Sequence, residues 1–489
     1  MAGTRKFTNL ALFDVAADFF AVVAAYATTY LLRFESEWGE SLFTRVNQFL
    51  GVRETGFLGG ALAAFYQGSA LRIIGLMTLT LCLLYGLRDL YPGIRFIRRR
   101  PVGWNLLVAN AQALVLFYAY FYLRRNVFHP RSFFVTVLFF NVFYAVAFRA
   151  VASHFLGWVR RSRGFDRRPA TLAGAGRDAE AIATLIGAVH PHGLEIVAQL
   201  PPPSRGDFEA NLRTLATAVK DAGADVLLCA DRDLSVGQIM RLLEVAGGLD
   251  VAVKVLSDKL DILVNEARQP MDRIHGVPLV HFDAPSRSAR LQQVRRGVYG
   301  AVALVAVLVL LPLAALVALL IRLGSHGPAL FVQERIGVDR RPFRMLKFRT
   351  MYDRAEEAQA QIEEFNESGG GLFKIRKDPR VTAVGRFLRR FSLDELPQLI
   401  NVIRGEMTLV GPRPLPRRDF ENYYEEWHYS RHSGMPGLTC LWQVSGRSDI
   451  DFHNMCILDV YYLRNQNWVL DLKIILKTLW VVLFAKGAY

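Results

Sequence analysis

The stretch Arg295-Arg-Gly-Val298-Tyr-Gly-Ala-Val-Ala-Leu-Val-Ala-Val-Leu-Val-Leu-Leu-Pro312-Leu-Ala-Ala-Leu-Val-Ala-Leu-Leu-Ile321-Arg322 decides how this chain is organised. Its apolar run, Val298 to Ile321, is long enough to cross a bilayer at about 1.5 Å per residue. Pro312 lies inside the run, where it removes one backbone hydrogen bond and its ring clashes with the preceding turn, so a kink or break is expected. Basic residues flank both ends, Arg295 and Arg296 before it and Arg322, Arg335, Arg340 and Arg341 after it. Two arrangements fit this pattern. One is a helix-break-helix that enters and leaves the same leaflet, and the other is a Pro-kinked crossing.

Four further apolar stretches precede it, from Leu10 to Leu32, Ile73 to Leu90, Val102 to Leu123 and Ser132 to Val159. Each is near the roughly 20 residues that span a hydrocarbon core, so four spanning helices are expected. The first has too long an apolar run for a signal peptide and no small-residue cleavage site after it, so it reads as an anchor. Arg5 and Lys6, then Arg88, Arg95, Arg98, Arg99 and Arg100, then Arg160, Arg161, Arg163, Arg167 and Arg168 mark the cytoplasmic side, although Arg124, Arg125 and Arg131 sit in an opposing loop.

Composition agrees with a mixed chain. At 489 residues, 52% of them hydrophobic and with a mean hydropathy of +0.21, it is too apolar for a soluble enzyme and too polar for an all-helical transporter. The net charge of +15 is drawn largely from arginines beside apolar segments, which points to the membrane surface and phosphorylated substrates and away from nucleic acid. Cys82, Cys229, Cys440 and Cys456 form no CxxC pair, so neither a disulfide framework nor a zinc ribbon is indicated.

Between about Arg168 and Pro285 short apolar strands alternate with helical patterns: Ala170 to Ala173, Leu194 to Leu200, Ala224 to Ala230 and Val251 to Leu256. That rhythm predicts a small parallel, Rossmann-like α/β sheet. The first strand runs into Gly174-Ala-Gly176-Arg-Asp-Ala179, either a phosphate-cradling turn at a helix N-terminus or a plain strand-to-helix turn. No tyrosine occurs between Phe165 and Val298, so the Tyr-x-x-x-Lys pair of nucleotide-sugar dehydratases is absent and a regulatory or structural role is expected.

The chemistry lies after Gly324. In Phe343-Arg-Met-Leu-Lys347-Phe-Arg349-Thr350-Met351, alternation puts Lys347 and Arg349 on one face of a strand, as a phosphate clamp or a solvated face. In Arg386-Phe-Leu-Arg389-Arg390-Phe-Ser392-Leu-Asp394-Glu395-Leu-Pro397-Gln398-Leu-Ile-Asn401, the Ser392-x-x-Glu395 pattern and Pro397 predict that the acidic pair opens a helix. A carboxylate there would be held anionic by the helix dipole and nearby arginines, and could act as a nucleophile at phosphorus; the alternative is ordinary capping. Then come Gly411-Pro-Arg413-Pro414, whose prolines fix the backbone around an arginine suited to a diphosphate, and Met435-Pro-Gly-Leu-Thr-Cys-Leu-Trp-Gln443-Val-Ser-Gly-Arg447, which reads as pocket-forming loops or a structural hinge.

These clusters, in this order, resemble the bacterial sugar transferase family, the monotopic phosphoglycosyl transferases, from about Val298 to Tyr489. The matching stretches are Lys347-Phe-Arg-Thr-Met351, Leu393-Asp-Glu-Leu396, Gly411-Pro-Arg-Pro414, Pro436-Gly-Leu-Thr439, Trp442-Gln-Val-Ser-Gly-Arg447 and Leu470-Asp-Leu-Lys473. With the N-terminal helices and the α/β segment, the whole chain is similar to the large members that initiate exopolysaccharide or O-antigen units. The resemblance implies three parts: a four-helix transmembrane region (1–160), a cytoplasmic Rossmann-like domain (165–285), and a re-entrant helix (298–321) anchoring an α/β catalytic domain (290–489).

It further implies a multi-pass protein of the bacterial inner membrane, dimeric, with its active site on the cytoplasmic face. Asp394 would attack the β-phosphate of a UDP-sugar, releasing UMP, and polyprenyl phosphate would take the sugar phosphate from the aspartate. Asp394 and Glu395 would hold Mg²⁺. Lys347, Arg349, Arg389, Arg413, Gln443 and Arg447 would contact phosphate or nucleotide, and Pro312 would break the re-entrant helix. Met435, where a basic residue is usual, and Cys440, where glycine is common, depart from the family pattern. A non-enzymatic scaffold and a nucleotide sensor built on Gly174-x-Gly176 are the competing readings.

Overall fold

The computed structural model describes residues 9–49, 59–91, 102–123, 131–164, 167–188, 193–267, 269, 271–284, 289–352, 378–422, 424–446 and 450–483. The chain divides into two compact units.

The first is helical: α1 (Asn9–Phe34), α2 (Glu37–Phe49), α3 (Gly59–Leu87), α4 (Val102–Leu123) and α5 (Arg131–Arg163). Helices α1, α3, α4 and α5 are long and apolar enough to cross a membrane. Helix α3 begins at Gly59, well before Ile73, because Gln67, Gly68 and Arg72 interrupt the apolar run without interrupting the helix. Helix α2 was not expected. Its apolar Trp38, Leu42 and Phe43 recur at helical spacing among polar residues, and Glu37 and Glu40 complement its N-terminal dipole.

Polar pairs lock the bundle. Arg149 of α5 grips Asp18 of α1 with two hydrogen bonds, Nε to Oδ1 at 2.8 Å and Nη2 to Oδ2 at 2.5 Å, and donates to the Leu90 carbonyl at 3.0 Å. The Tyr91 hydroxyl donates to Asp18 Oδ2 at 2.8 Å. Deeper in the bundle, Asn110 and Asn141 both donate to the Tyr85 hydroxyl, at 2.9 and 3.0 Å. In an apolar setting such groups are tolerated only when they partner one another.

The second unit begins with a six-stranded sheet of order β2-β1-β3-β4-β6-β5. Its strands are β1 (Arg168–Gly174), β2 (Leu194–Leu200), β3 (Val226–Ala230), β4 (Ala252–Leu256), β5 (Asp272–Ile274) and β6 (Val277–Phe282), with helices α6 (Gly176–Ala188), α7 (Phe208–Asp221), α8 (Val236–Gly248) and α9 (Ile262–Asn265) between them. Strands β1, β3 and β4 are parallel, but β6 runs antiparallel to β4 and to β5. The sheet is therefore mixed, against the expectation of a purely parallel one. The β5–β6 hairpin turns on His275 and Gly276, both at positive φ, as a two-residue turn requires.

Helix α10 (Ala289–Gly324) then runs continuously through Pro312, so the proline does not divide it into two helices. One lost hydrogen bond does not end a helix whose two halves are both packed on the same body. Before the proline, Tyr299 and Ala303 cluster with Met345, Leu399, Val402 and Met407; after it, Val317 and Ile321 cluster with Phe348 and Leu388. That body comprises β7 (Leu330–Ile336), β8 (Pro342–Phe348), α11 (Ala383–Arg390), α12 (Gln398–Ile403), β9 (Thr408–Val410), β10 (Leu415–Pro416), α13 (Arg417–Asn422), β11 (Gly437–Thr439), α14 (Phe452–Arg464) and α15 (Trp468–Leu483).

One core joins the six-stranded sheet to this body. Val253, Val255 and Ile239 share a cluster with Met455, Ile457 and Leu458 of α14 and with Ile474 of α15. At the end of α14, Arg464 donates to the Leu243 carbonyl at 2.6 Å, and Asn465 Nδ2 donates to the His281 carbonyl at 3.0 Å.

The parallel pairing of β9 with β11 brings Gly411 and Gly437 into backbone contact. A Cβ on Gly437 would lie 2.1 Å from the Gly411 nitrogen, and one on Gly411 would lie 2.4 Å from the Met435 carbonyl oxygen. The motif glycines are thus needed for close packing. Replacing Gly437 by Ala is expected to destabilise the second unit by about 2–4 kcal/mol, read as a lowered denaturation midpoint in detergent; an unchanged midpoint would refute this account of the contact.

Candidate active site

Helix α11 ends where Ser392 turns left-handed, with φ 53° and ψ 24°, its amide donating to the Arg389 carbonyl at 3.1 Å. This is the position after a helix that glycine usually fills, and a serine there costs about 1 kcal/mol or more. Such strain is characteristic of functional turns. Leu393–Glu395 form one 3₁₀ turn leading to Pro397 and α12. The Ser392 side chain caps nothing, so the capping pattern read from Ser392-x-x-Glu395 is not realised. A left-handed backbone aims that hydroxyl away from the amides it would have capped.

The turn presents a buried Asp394 beside Glu395. Glu395 Oε1 accepts from Arg413 Nη2 at 2.9 Å and lies 3.7 Å from Lys347 Nζ. Arg389 donates from Nε to the Thr350 hydroxyl at 3.0 Å and acts on Asp394 through its charge. The buried Asn401 sets this geometry, accepting from the Leu346 amide at 3.0 Å and donating to the Arg344 carbonyl at 2.8 Å. It thereby ties α12 to β8, the strand that carries Lys347.

Burial raises the Asp394 carboxyl above its ordinary range, Glu395 adds to the rise, and Lys347, Arg389 and Arg413 oppose it. Of the two influences expected to hold the carboxylate anionic, the neighbouring arginines act as expected, while the three-residue turn has little dipole and burial outweighs both. Burial also lowers Lys347 to about 8, with Arg413 and Arg335 adding to the fall and Glu395 and Asp394 resisting it.

The remaining expected residues divide. Arg349 lies just past the end of β8, buried, and donates to the Ser325 carbonyl at 2.9 Å and hydroxyl at 2.8 Å. It does not join Lys347 at the acidic pair. Gln443 Oε1 accepts from the Cys440 thiol at 3.1 Å, which gives the unusual cysteine a packing role. Arg447 lies outside the described residues.

Two networks were not anticipated. Asp471, the aspartate of Leu470-Asp-Leu-Lys473, accepts from Arg295, from the Tyr299 hydroxyl at 2.5 Å and from the Tyr462 hydroxyl at 2.7 Å, fastening α10 to α15 and α14. Arg431 and Asp459 form a second buried pair, Nη2 to Oδ2 at 2.5 Å. In both cases the available signal was an ionisable residue inside an apolar helical stretch.

Two possible ligand sites elsewhere are self-occupied. Asp178, in the first turn of α6 where a phosphate would bind, is held by Arg232 at 2.6 and 2.7 Å and by His275 at 2.8 Å. This favours the plain-turn reading of Gly174-Ala-Gly176 over a nucleotide cradle. Glu425, His428 and His453 gather their donor atoms within 4.8 Å. His428 Nδ1, however, accepts from the Glu425 amide at 2.9 Å, so the neutral ring keeps its proton on Nε2 and offers no lone pair there.

A strained turn thus offers two carboxylates to three cations, on a body against which a long apolar helix packs. The family described as bacterial sugar transferase matches residues 291–485. Exopolysaccharide production protein ExoY of Rhizobium meliloti is 40% identical over 189 residues, 38% of this chain and 83% of that protein. Galactosyl transferase CpsE of Streptococcus agalactiae is 46% identical over 163 residues, 33% of this chain and 36% of that protein. The UDP-glucose:undecaprenyl-phosphate glucose-1-phosphate transferase of Escherichia coli is 29% identical over 348 residues, 68% of this chain and 71% of that protein. The chain belongs to the bacterial sugar transferase family, and it spans about a third of some of its larger relatives and most of the compact ones.

Because the folded state lowers Lys347 towards 8, its charge opposes folding below that pH, and the penalty fades as pH rises towards the unfolded value. Lys347→Met is expected to raise stability by about 2 kcal/mol at pH 7, a gain that shrinks by pH 10. Thermal melts across that range would contradict this if the variant melted lower at pH 7.

Proposed function

We propose that the chain transfers a hexose 1-phosphate from a UDP-sugar to polyprenyl phosphate at the cytoplasmic face of a bacterial inner membrane, the step that begins an exopolysaccharide, capsule or O-antigen unit. The observation that carries this reading is the buried Asp394, flanked by Glu395 and facing Lys347, Arg389 and Arg413. Relatives named as phosphotransferases acting on undecaprenyl phosphate support it.

Asp394 is the nucleophile. Its carboxylate oxygen bonds to the β-phosphorus, the bond from that phosphorus to the bridging oxygen breaks, and UMP leaves with the electron pair. The polyprenyl phosphate oxygen then attacks the same phosphorus, the bond to Asp394 breaks, and polyprenyl-diphosphate-sugar is released. Arg413 and Lys347 bind the donor's diphosphate, and Arg389 shields the charge that gathers on the transferred phosphoryl group.

The two carboxylates are hard oxygen donors of the kind Mg²⁺ prefers. Bound between Asp394 and Glu395, Mg²⁺ would supply charge neutralisation for the diphosphate. Two acids among three cations leave the pocket net positive, which favours entry of the ion together with the anionic donor.

The packing of α10 supports this membrane placement. Both halves of the helix, on either side of Pro312, rest on one polar domain, while Val305, Leu308, Val309 and Leu316 are exposed. A body of that polarity would not sit on both faces of a bilayer, which supports a re-entrant α10 that stays helical and bends at Pro312 to return to one leaflet. Single cysteines beside Arg295 and beside Arg322 are expected to label from the cytoplasm alike; labelling of the second only from outside would overturn the re-entrant placement.

Detergent-purified protein with Mg²⁺, polyprenyl phosphate and a panel of UDP-sugars is expected to release UMP from at least one donor, and Asp394→Asn is expected to lose this by at least about a thousandfold. The acid limb of the rate profile should lie above the ordinary carboxylate range, and the alkaline limb near pH 8, where Lys347 loses its proton. Absence of release from every donor, or equal release by Asp394→Asn, would move the weight to a scaffold role.

A further inference from the structure

The segment Pro412-Arg413-Pro414 contributes only one backbone N–H over three residues, because proline has none. It must therefore be held chiefly through its carbonyls, and all three are taken. The Pro412 oxygen accepts from the Gly437 amide at 2.9 Å, the Arg413 oxygen from Arg431 Nη2 at 2.7 Å, and the Pro414 oxygen from Arg335 Nη1 at 3.1 Å. Two of the three donors are guanidinium groups, whose hydrogen bonds are stronger than those of amides.

Arg431 is the better anchored of the two. It is 1% exposed, and the carboxylate of Asp459 on α14 takes both its Nε, at 3.0 Å, and its Nη2. Its Nη1 donates to the Tyr424 hydroxyl at 2.9 Å. Every nitrogen of the fork is committed, so the group has one orientation. A small cleft lined by Arg413, Pro414, Arg431, His432, Gly337 and Pro436 lies behind the loop, so close packing alone does not immobilise it.

We propose that Arg431, locked by Asp459, is the positioning residue that sets the backbone of Arg413 and so aims its guanidinium at Glu395 and the donor's diphosphate. Arg431 touches neither substrate nor the acidic pair; it acts through one carbonyl. The lock sits on α14, whose C-terminal end carries the Arg464 contact to α8 and the Asn465 contact to β6. The turn and a half of helix between them, about 7.5 Å, makes the α/β domain the ground against which Arg413 is braced.

The inference rests on Arg413 binding the donor, and the experiment separates the two. Single-turnover UMP release without acceptor is measured against UDP-sugar concentration for the full-length wild type, Arg413→Lys, the paired replacement Arg431→Met with Asp459→Leu, and all three together. Removing both charges at once avoids stranding either one. The paired replacement is expected to raise the half-saturating donor concentration about tenfold, to leave the plateau rate within about threefold, and to add nothing to Arg413→Lys, since the two act in series. A merely structural pair would lower the melting temperature and leave half-saturation alone, or add its effect in full to that of Arg413→Lys; either overturns the proposal. If Arg413→Lys itself leaves half-saturation unchanged, the donor-binding reading falls and this inference with it. Should the paired replacement lose its melting transition, Asp459→Asn decides instead: a shift of about threefold supports the proposal and no shift overturns it.

Discussion

A single carboxylate oxygen, Oε1 of Glu395, is where three remote segments of the chain meet. Lys347 comes to it from β8, Arg413 from the proline-flanked loop, and Glu395 itself from the turn after α11. Half-buried charges in such proximity compensate one another, the carboxylates above all depending on the cations around them. The surrounding architecture serves this meeting. Asn401 registers the turn against β8, the glycine contact between β9 and β11 brings the Arg413 loop in, and the left-handed Ser392 points the acidic pair inward.

The same balance explains why the aspartate is protonated more readily than an exposed one. Three cations would suffice to hold Asp394 ionised in water, but burial and the adjacent Glu395 outweigh them. In the proposed reaction this favours attack, since a carboxylate less stabilised as the anion is the stronger nucleophile. Lys347, drawn down towards 8 by the same burial, is the other half of the compromise.

Much of this was legible in the sequence, and what was missed has physical causes. The apolar runs located the helices long and apolar enough to cross a membrane, because length and hydropathy suffice for that, and strands β1 to β4 were read from their short apolar runs. Helix α2 escaped because an amphipathic helix has no net apolarity, and the β5–β6 hairpin because its three-residue first strand carries too little pattern. At the site, the family resemblance, not the residue pattern alone, grouped Asp394, Glu395, Lys347, Arg389 and Arg413, and the structure gathers these five. Arg349 and Gln443 were drawn in by their motifs, yet their side chains turn to Ser325 and Cys440. Conformation at Ser392 and the partnership of Arg431 with Asp459 depend on tertiary contacts that no local pattern encodes.

The ion pair between Asp18 and Arg149 bears on how the protein is made. The two partners are 131 residues apart, so at a synthesis rate of about 5–20 residues per second the aspartate of α1 leaves the ribosome roughly ten seconds before its arginine. Asp18 lies in the first half of α1 beside Asp14, and a carboxylate without its partner in an apolar helix raises the cost of insertion by up to about 3 kcal/mol. Until α5 emerges, α1 is therefore a reluctant membrane segment, better suited to waiting beside the insertion machinery than to settling in lipid. The buried contact that joins α1 to α5 is thus completed only when the last helix of the bundle arrives.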